Sequence, residues 1–397
     1  MMEDLALAAR DKCAIVGIGK TEYSKDSGRS TLALATEAAR AAIADAGLSP
    51  DDIDGIVRCD MDRTMPVSVA AGLGLRRLHF WGETGPGGTA PSMMIGLAVA
   101  AVLSGQAKAV VVYRSLNGRS EDRFGSPSGP RARAGGFGSY DELYQPYGLL
   151  TPGQHFAMMA QRHMHEYGTK QEHLGAIAIA CREAANRTPH AQMHDKPLTM
   201  EAYLASRPIS LPLRLFDFCL ESDGACAVVV TTTERARDLA KPPVTIRAVA
   251  GGQPSDTRAG MMFPALSRGD VTDIGGRQAA EELWRRAGLG PQDMDFAQLY
   301  DCFTISVLLQ LEAFGFCRAG EGGPFAASGA IARGGSIPIN TAGGNMSEGY
   351  MHGLNHFYEA VRQLRGEADN QVEGAQAGLV TSGLYPFGSA VVLGRNA

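Results

Sequence analysis

The chain has 397 residues, 45% hydrophobic and 20% charged, with a formal net charge of −5. This is the composition of a globular protein, and the length exceeds the roughly 250–300 residues that one core organises, so two cores or a pseudo-symmetric pair are expected. A negative balance with no Lys/Arg-rich block argues against nucleic acid as a ligand, and the longest apolar stretch, 93–103, is too short to span a bilayer.

From the N-terminus, "MMEDLALAARDK" carries acids where a signal peptide needs a basic region, which with the seven unpatterned cysteines predicts a soluble, cytoplasmic protein without a disulfide framework or zinc ribbon. "CAIVGIG" (13–19) reads as a buried strand. Its continuation "GIGKT" invites comparison with a phosphate loop, but Ala14 stands where the first glycine belongs, and Glu22 occupies the third-glycine position of a dinucleotide fingerprint. No G-x-S-x-G elbow occurs. A helix over 31–46 leads into "AGLSPDDIDGIV" (46–57), where Gly47 ends the helix, Pro50 and the aspartates turn the chain, and an apolar strand follows.

The stretch "PSMMIGLAVAAVLSGQ" (91–106) is apolar nearly all round, so this helix is predicted to lie buried between two sheets. "AKAVVVYRS" is the strand after it. Residues 117–148, with Phe124, Phe137, Tyr140, Tyr144 and Tyr147, read as a substrate-covering or dimer-forming loop. In the next helix, His163 and His165 are two apart and face different ways, which favours surface or core histidines over a metal site. "DGACAVVVTT" (223–232) is a strand closing the first half, and "KPPVTIRAVAGG" (241–252) reads as a proline-containing linker opening the second.

Residues 287–298, "AGLGPQDMDFAQ", then repeat 46–57 on the skeleton Ala-Gly-Leu-x-Pro-x-Asp-x-Asp, and Ala279-Ala280 repeat Ala38-Ala39. A match across helix, cap, turn and strand indicates internal duplication. The halves are expected at 1–240, with a loop region at 117–240, and 241–397. Gly88 and Gly105 bracket one helix as Gly349 and Gly366 bracket another, and Asp60 in "VRCD" corresponds to Asp301 in "QLYD", which assigns Asp301 a structural role.

The opening "CAIVGIGKTEYSKDSGRSTLALATEAARAAIADAGLSPDDIDGIV" and the closing "GLVTSGLYPFGSAVVLGR" resemble the thiolase superfamily, in its lipid-transfer-protein branch, and most closely the steroid side-chain-cleaving retro-aldolases. The resemblance implies an α/β thiolase fold, two pseudo-symmetric halves forming a five-layered αβαβα sandwich. It also implies a homodimer, an acyl-CoA substrate, no metal or further cofactor, and a separate DUF35-type partner with a zinc ribbon and an OB domain, giving a heterotetramer. Against the thiolase pattern, Gly88 stands at the nucleophilic cysteine and Gly383 near the second cysteine. Tyr350 replaces the histidine of "GHP", and Tyr300 replaces the asparagine of "NEAF".

The expected reaction is therefore retro-aldol cleavage of a β-hydroxyacyl-CoA, to a 17-ketosteroid and propionyl-CoA, with Tyr300 and Tyr350 as acid and base in either order. A phenol donates and accepts, but its pKa of about 10 disfavours full ionisation at neutral pH. Amides at Gly343, Gly344 and Gly349, or a water held by Asn345 or His352, are the expected donors to the thioester oxygen. The rival readings are a non-catalytic lipid or acyl-CoA carrier and an acyltransferase using Cys302.

Overall fold

The computed structural model describes residues 5–121, 123, 145–254, 270, 272–384 and 387–395. The loop aromatics Phe124, Phe137, Tyr140 and Tyr144 lie outside the described residues, whereas Tyr147 is exposed.

After a short α1 (Leu5–Ala8), the first half runs β1 (Cys13–Lys20), α2 (Thr31–Asp45), β2 (Gly55–Cys59), α3 (Pro66–Leu73), β3 (Phe80–Thr84), α4 (Ala90–Leu103) and β4 (Ala109–Asn117). Helices α5 (Pro152–Tyr167) and α6 (Gln171–Asn186) and a hairpin, β5 (Pro208–Ser210) with β6 (Leu213–Arg214), precede β7 (Asp223–Thr232). The second half holds β8 (Val244–Gly252), α7 (Gly275–Ala287), β9 (Phe296–Gln298), α8 (Thr304–Ala313), α9 (Leu354–Arg365), β10 (Ala377–Ser382) and β11 (Gly388–Arg395).

Nine strands form one sheet in the order β3-β2-β4-β7-β1-β8-β11-β10-β9. The duplication is written in this order. In the first half β2 and β4 are parallel, and β4–β7 and β7–β1 antiparallel. In the second, β9 and β10 are parallel, and β10–β11 and β11–β8 antiparallel. Even β3, parallel to β2, has a remnant counterpart: Ile339 makes a single parallel bridge to Ala297 of β9.

Alternation along each strand sorts side chains into layers. Val110 and Val112 of β4, and Val228 and Val230 of β7, face inward onto α4 and α9, together with Val391 and Leu393 of β11. Their neighbours Val111, Val229, Ala14 and Val16 face outward onto α2 and α3. Across the molecule, Ala390 and Val392 face outward onto α7 and α8. The sequence is helices, sheet, helices, sheet, helices, which is the expected five-layered sandwich. The two half-sheets are not separate, however. They join edge to edge where Cys13, Ala14 and Ile15 pair with Ile246, Thr245 and Val244. The segment 241–252 is thus largely strand β8 rather than linker. Helices α5 and α6, although from the first half, pack into the outer core of the second.

The repeated motif does the same work twice. Asp52 accepts the Ser49 amide at 2.9 Å and Asp293 the Gly290 amide at 2.7 Å, closing the turn after Gly47 and Gly288, whose φ values are +70° and +64°. Asp54 accepts the amides of Lys108 and Ala109 at 2.8 and 3.1 Å, and Asp295 those of Gln376 and Ala377 at 2.7 and 2.9 Å. Each pins the start of the strand beside its own. "GIGKT" also finds its reason: a Cβ on Gly17 or Gly19 would overlap the α2 backbone at Ala42 or Ala38, so these glycines let α2 lie close on β1.

Candidate active site

Tyr300 follows β9 and has its backbone held on both sides. Its amide donates to Thr381 Oγ1 at 2.9 Å, and its carbonyl accepts from Gln310 Nε2 at 2.7 Å and Ser306 Oγ at 3.0 Å. Tyr350 sits in the turn before α9, its amide donating to Ser222 Oγ at 3.0 Å. That turn is clamped from below by Glu348, which accepts from Lys20 Nζ at 2.7 Å, so the lysine of "GIGKT" is a buried strut. The two phenol oxygens stand 3.0 Å apart, and the residues are only 5% and 8% exposed.

At Gly88, which the sequence resemblance sets against the thiolase nucleophile, a Cβ would overlap the Tyr300 hydroxyl. Tyr300 therefore occupies the space a side chain at 88 would take. Thiolate chemistry at this position and the tyrosine pair exclude each other.

Both phenols are pushed well above their ordinary pKa. Burial is the largest cause for each. The smaller influences differ in sign. For Tyr350 the hydrogen bond from Tyr300 and the Arg114 charge favour the anion, whereas for Tyr300 the Tyr350 neighbour disfavours it. Both are neutral phenols at pH 7.

His352 completes the cluster. Its ring meets that of Tyr350 edge-on at 5.0 Å, and its Nδ1 accepts from Arg114 Nε at 2.9 Å. The other expected donors are placed differently. The Gly343 amide donates to the Asn340 carbonyl at 2.7 Å and the Gly349 amide to the Gly344 carbonyl at 3.3 Å, so both are used within the turn. The Asn345 amide and that of Met346 donate to Asp301 at 2.9 and 3.0 Å, and the Asn345 side chain lies against His356 at 3.2 Å. A Cβ on Gly344 would strike the Asp301 carboxylate. Gly343, Gly344, Asn345 and Gly349 thus build the turn that presents Tyr350. Asp301 pins it as Asp60, accepting the Gly87 amide at 3.1 Å, pins the approach to α4.

Cys302 donates weakly to Ser306 Oγ at 3.7 Å, and burial pushes its thiol up to about 12. A thiol so disfavoured as thiolate is a poor nucleophile. His163 is fully buried between Thr169 Oγ1 at 2.8 Å and the Glu312 carboxylate at 3.3 Å, a core histidine. Among the described residues no cluster of three His, Cys, Asp or Glu is arranged to hold a metal ion.

A family model for the thiolase C-terminal domain matches residues 264–395. The chain is 44% identical over 386 residues to the 17-hydroxy-3-oxo-4-pregnene-20-carboxyl-CoA lyase of Mycobacterium tuberculosis, covering 96% of this chain and 99% of that one. The chain belongs to the thiolase-fold aldolases. The steroid side-chain-cleaving aldolase of Thermomonospora curvata is 43% identical, covering 96% and 98% of the two chains. A solved structure of an Ltp2-ChsH2(DUF35) aldolase superposes with a TM-score of 0.90 at 42% identity over 98% of both chains. As a thiolase-fold aldolase the protein is a carbon–carbon lyase, and no described helix is long and apolar enough to cross a membrane.

Arg114, which donates to His352, was missed from the sequence. The available signal was Arg114 itself, a lone charge within the apolar strand "AVVVYRSLN", whose nine positions are all buried.

Proposed function

We propose that this aldolase cleaves the thioester of a 17-hydroxy C22 steroid acid with coenzyme A, giving a 17-ketosteroid and propionyl-CoA. The observation that carries this reading is the buried 3.0 Å phenol pair standing where the thiolase nucleophile would be. Tyr350 accepts the tertiary hydroxyl proton as the Cα–Cβ bond breaks, the hydroxyl oxygen becomes the ketone, and the bond's electrons pass to the thioester enolate. Tyr300 delivers a proton to Cα, and the hydrogen bond between the phenols returns the proton from Tyr350 to Tyr300. Concerted transfer avoids a free phenolate, whose formation at pH 7 would cost more than about 4 kcal/mol for any phenol above its reference pKa of about 10.

We further propose a homodimer joined at the β3 edge, supported by Trp81, 64% exposed on that strand. A DUF35-type partner completing a heterotetramer is supported by the composition of the Ltp2-ChsH2(DUF35) aldolase. A cytoplasmic location fits seven free cysteines. The test is incubation of the co-expressed complex with the thioester and mass spectrometry of the products. Both fragments are expected. Intact substrate bound saturably would instead favour a carrier.

A further inference from the structure

A buried arginine–carboxylate pair lies behind the tyrosines. Arg114 Nη1 is 3.2 Å from Asp62 Oδ2, with side chains 2% and 0% exposed. Asp62 is itself fixed by the Ser115 amide at 3.1 Å and hydroxyl at 2.8 Å. Such a pair gains little stability over apolar side chains of the same volume, so its presence asks for another role. What it does is aim one group: Arg114 Nε, a donor that cannot become an acceptor, points at Nδ1 of His352 from 2.9 Å.

That contact settles the imidazole. Nδ1 must be the acceptor, so the proton of the neutral ring is on Nε2. Burial first, and then the Arg114 charge, hold the His352 pKa well below its ordinary range, so the ring stays neutral. Among the described residues, Arg114 on β4 and Tyr350 in its own turn face the ring, and Asp62, Cys59 and Tyr350 in turn act on Arg114. Its Nε2 edge looks toward Gly87, 3.7 Å from where a Cβ would stand, while the next residue, Gly88, is covered by the Tyr300 hydroxyl. Nε2 of His352 and the Tyr300 hydroxyl therefore lie against neighbouring residues of one turn, with the Tyr350 hydroxyl 3.0 Å from that of Tyr300. His352 is also held at φ +52°, a strained backbone for a non-glycine residue.

We infer that His352 donates Nε2–H directly to the thioester carbonyl oxygen as the enolate forms, and that Arg114 and Asp62 are positioning residues that lock this tautomer. The inference rests on the retro-aldol reading. A neutral imidazole suits an enolate because it stabilises the oxygen without protonating it outright, leaving the Cα proton to Tyr300.

Two measurements on the complex test it. Histidine-selective 15N NMR, with His352 assigned by its loss in His352→Gln, should show Nε2 protonated and Nδ1 bare, unchanged from pH 5.5 to 8. An Nδ1–H tautomer or a titration in that window would overturn the lock, and this readout needs no substrate. In turnover, His352→Ala should lose about 10²–10³ in kcat with a smaller change in KM, as for one oxyanion donor. His352→Gln, which keeps an N–H, should recover part of it. Wild-type-like kcat in His352→Ala would overturn the donor role. Arg114→Met should bring an Nδ1–H signal into the same 15N spectrum and lower kcat more than it changes KM. A ring still fixed as Nε2–H in Arg114→Met would mean Arg114 only supports the fold. If the wild-type complex makes no propionyl-CoA, the substrate reading fails while the tautomer result stands.

Discussion

At the scale of single residues, the proposed function has the change from acyl transfer to bond cleavage rest on a steric exchange. Gly88 leaves room that Tyr300 fills, so a methyl group at 88 must push the Tyr300 hydroxyl off Tyr350. Gly88→Ala is expected to lower kcat by about 10²-fold, the usual weight of one acid–base partner, with the fold intact by circular dichroism. Unchanged kcat would show that the phenol pair is not the working unit. The tyrosines were legible in the sequence because they stand at motif positions of a known pattern. Arg114 and the 3.0 Å pairing were not, because they depend on side chains meeting from β4, β9 and the turn before α9.

Elements were read best where the chain repeats itself. Both copies of the Ala-Gly-Leu-x-Pro-x-Asp-x-Asp skeleton fold as helix cap, turn and strand, and the structure adds why the last aspartate recurs. Asp54 and Asp295 each take two backbone amides at the head of a neighbouring strand. Asp295→Ala removes both bonds from β10 and is expected to destabilise by about 1–3 kcal/mol, seen as a lowered Tm, with kcat nearly preserved in the folded fraction. A Tm equal to wild type would make the recurrence incidental. Strand β8 was mistaken for linker because Lys241-Pro242-Pro243 masked the alternating run that follows. The prolines lie just before the strand, where a missing N–H costs nothing in the ladder. Strand β3 escaped notice because it is short and lies at an edge, its residues alternating between half-buried and exposed with no apolar face to betray it.

For the molecule as a whole, the five layers place the apolar helix α4 against both half-sheets, but not buried on every side as its sequence suggests: Met94, Ile95, Ala98 and Val102 are buried, whereas Met93 and Leu103 stay 40% and 44% exposed. The outer edge at β3 is the natural place for a second copy to continue the sheet, since it offers unpaired backbone groups and an exposed Trp81. Sedimentation is expected to give about twice the 41.9 kDa of one chain, and Trp81→Lys to shift it toward one; a dimer indifferent to that change would place the interface elsewhere. The most direct test of the chemistry is turnover of the 17-hydroxy steroid CoA thioester by the complex carrying either Tyr350→Phe or Cys302→Ala. Loss of propionyl-CoA release by about 10²-fold or more in Tyr350→Phe, with Cys302→Ala close to wild type, is the expected result. Release that survives Tyr350→Phe and disappears in Cys302→Ala would contradict it, and would return the site to thiolate chemistry.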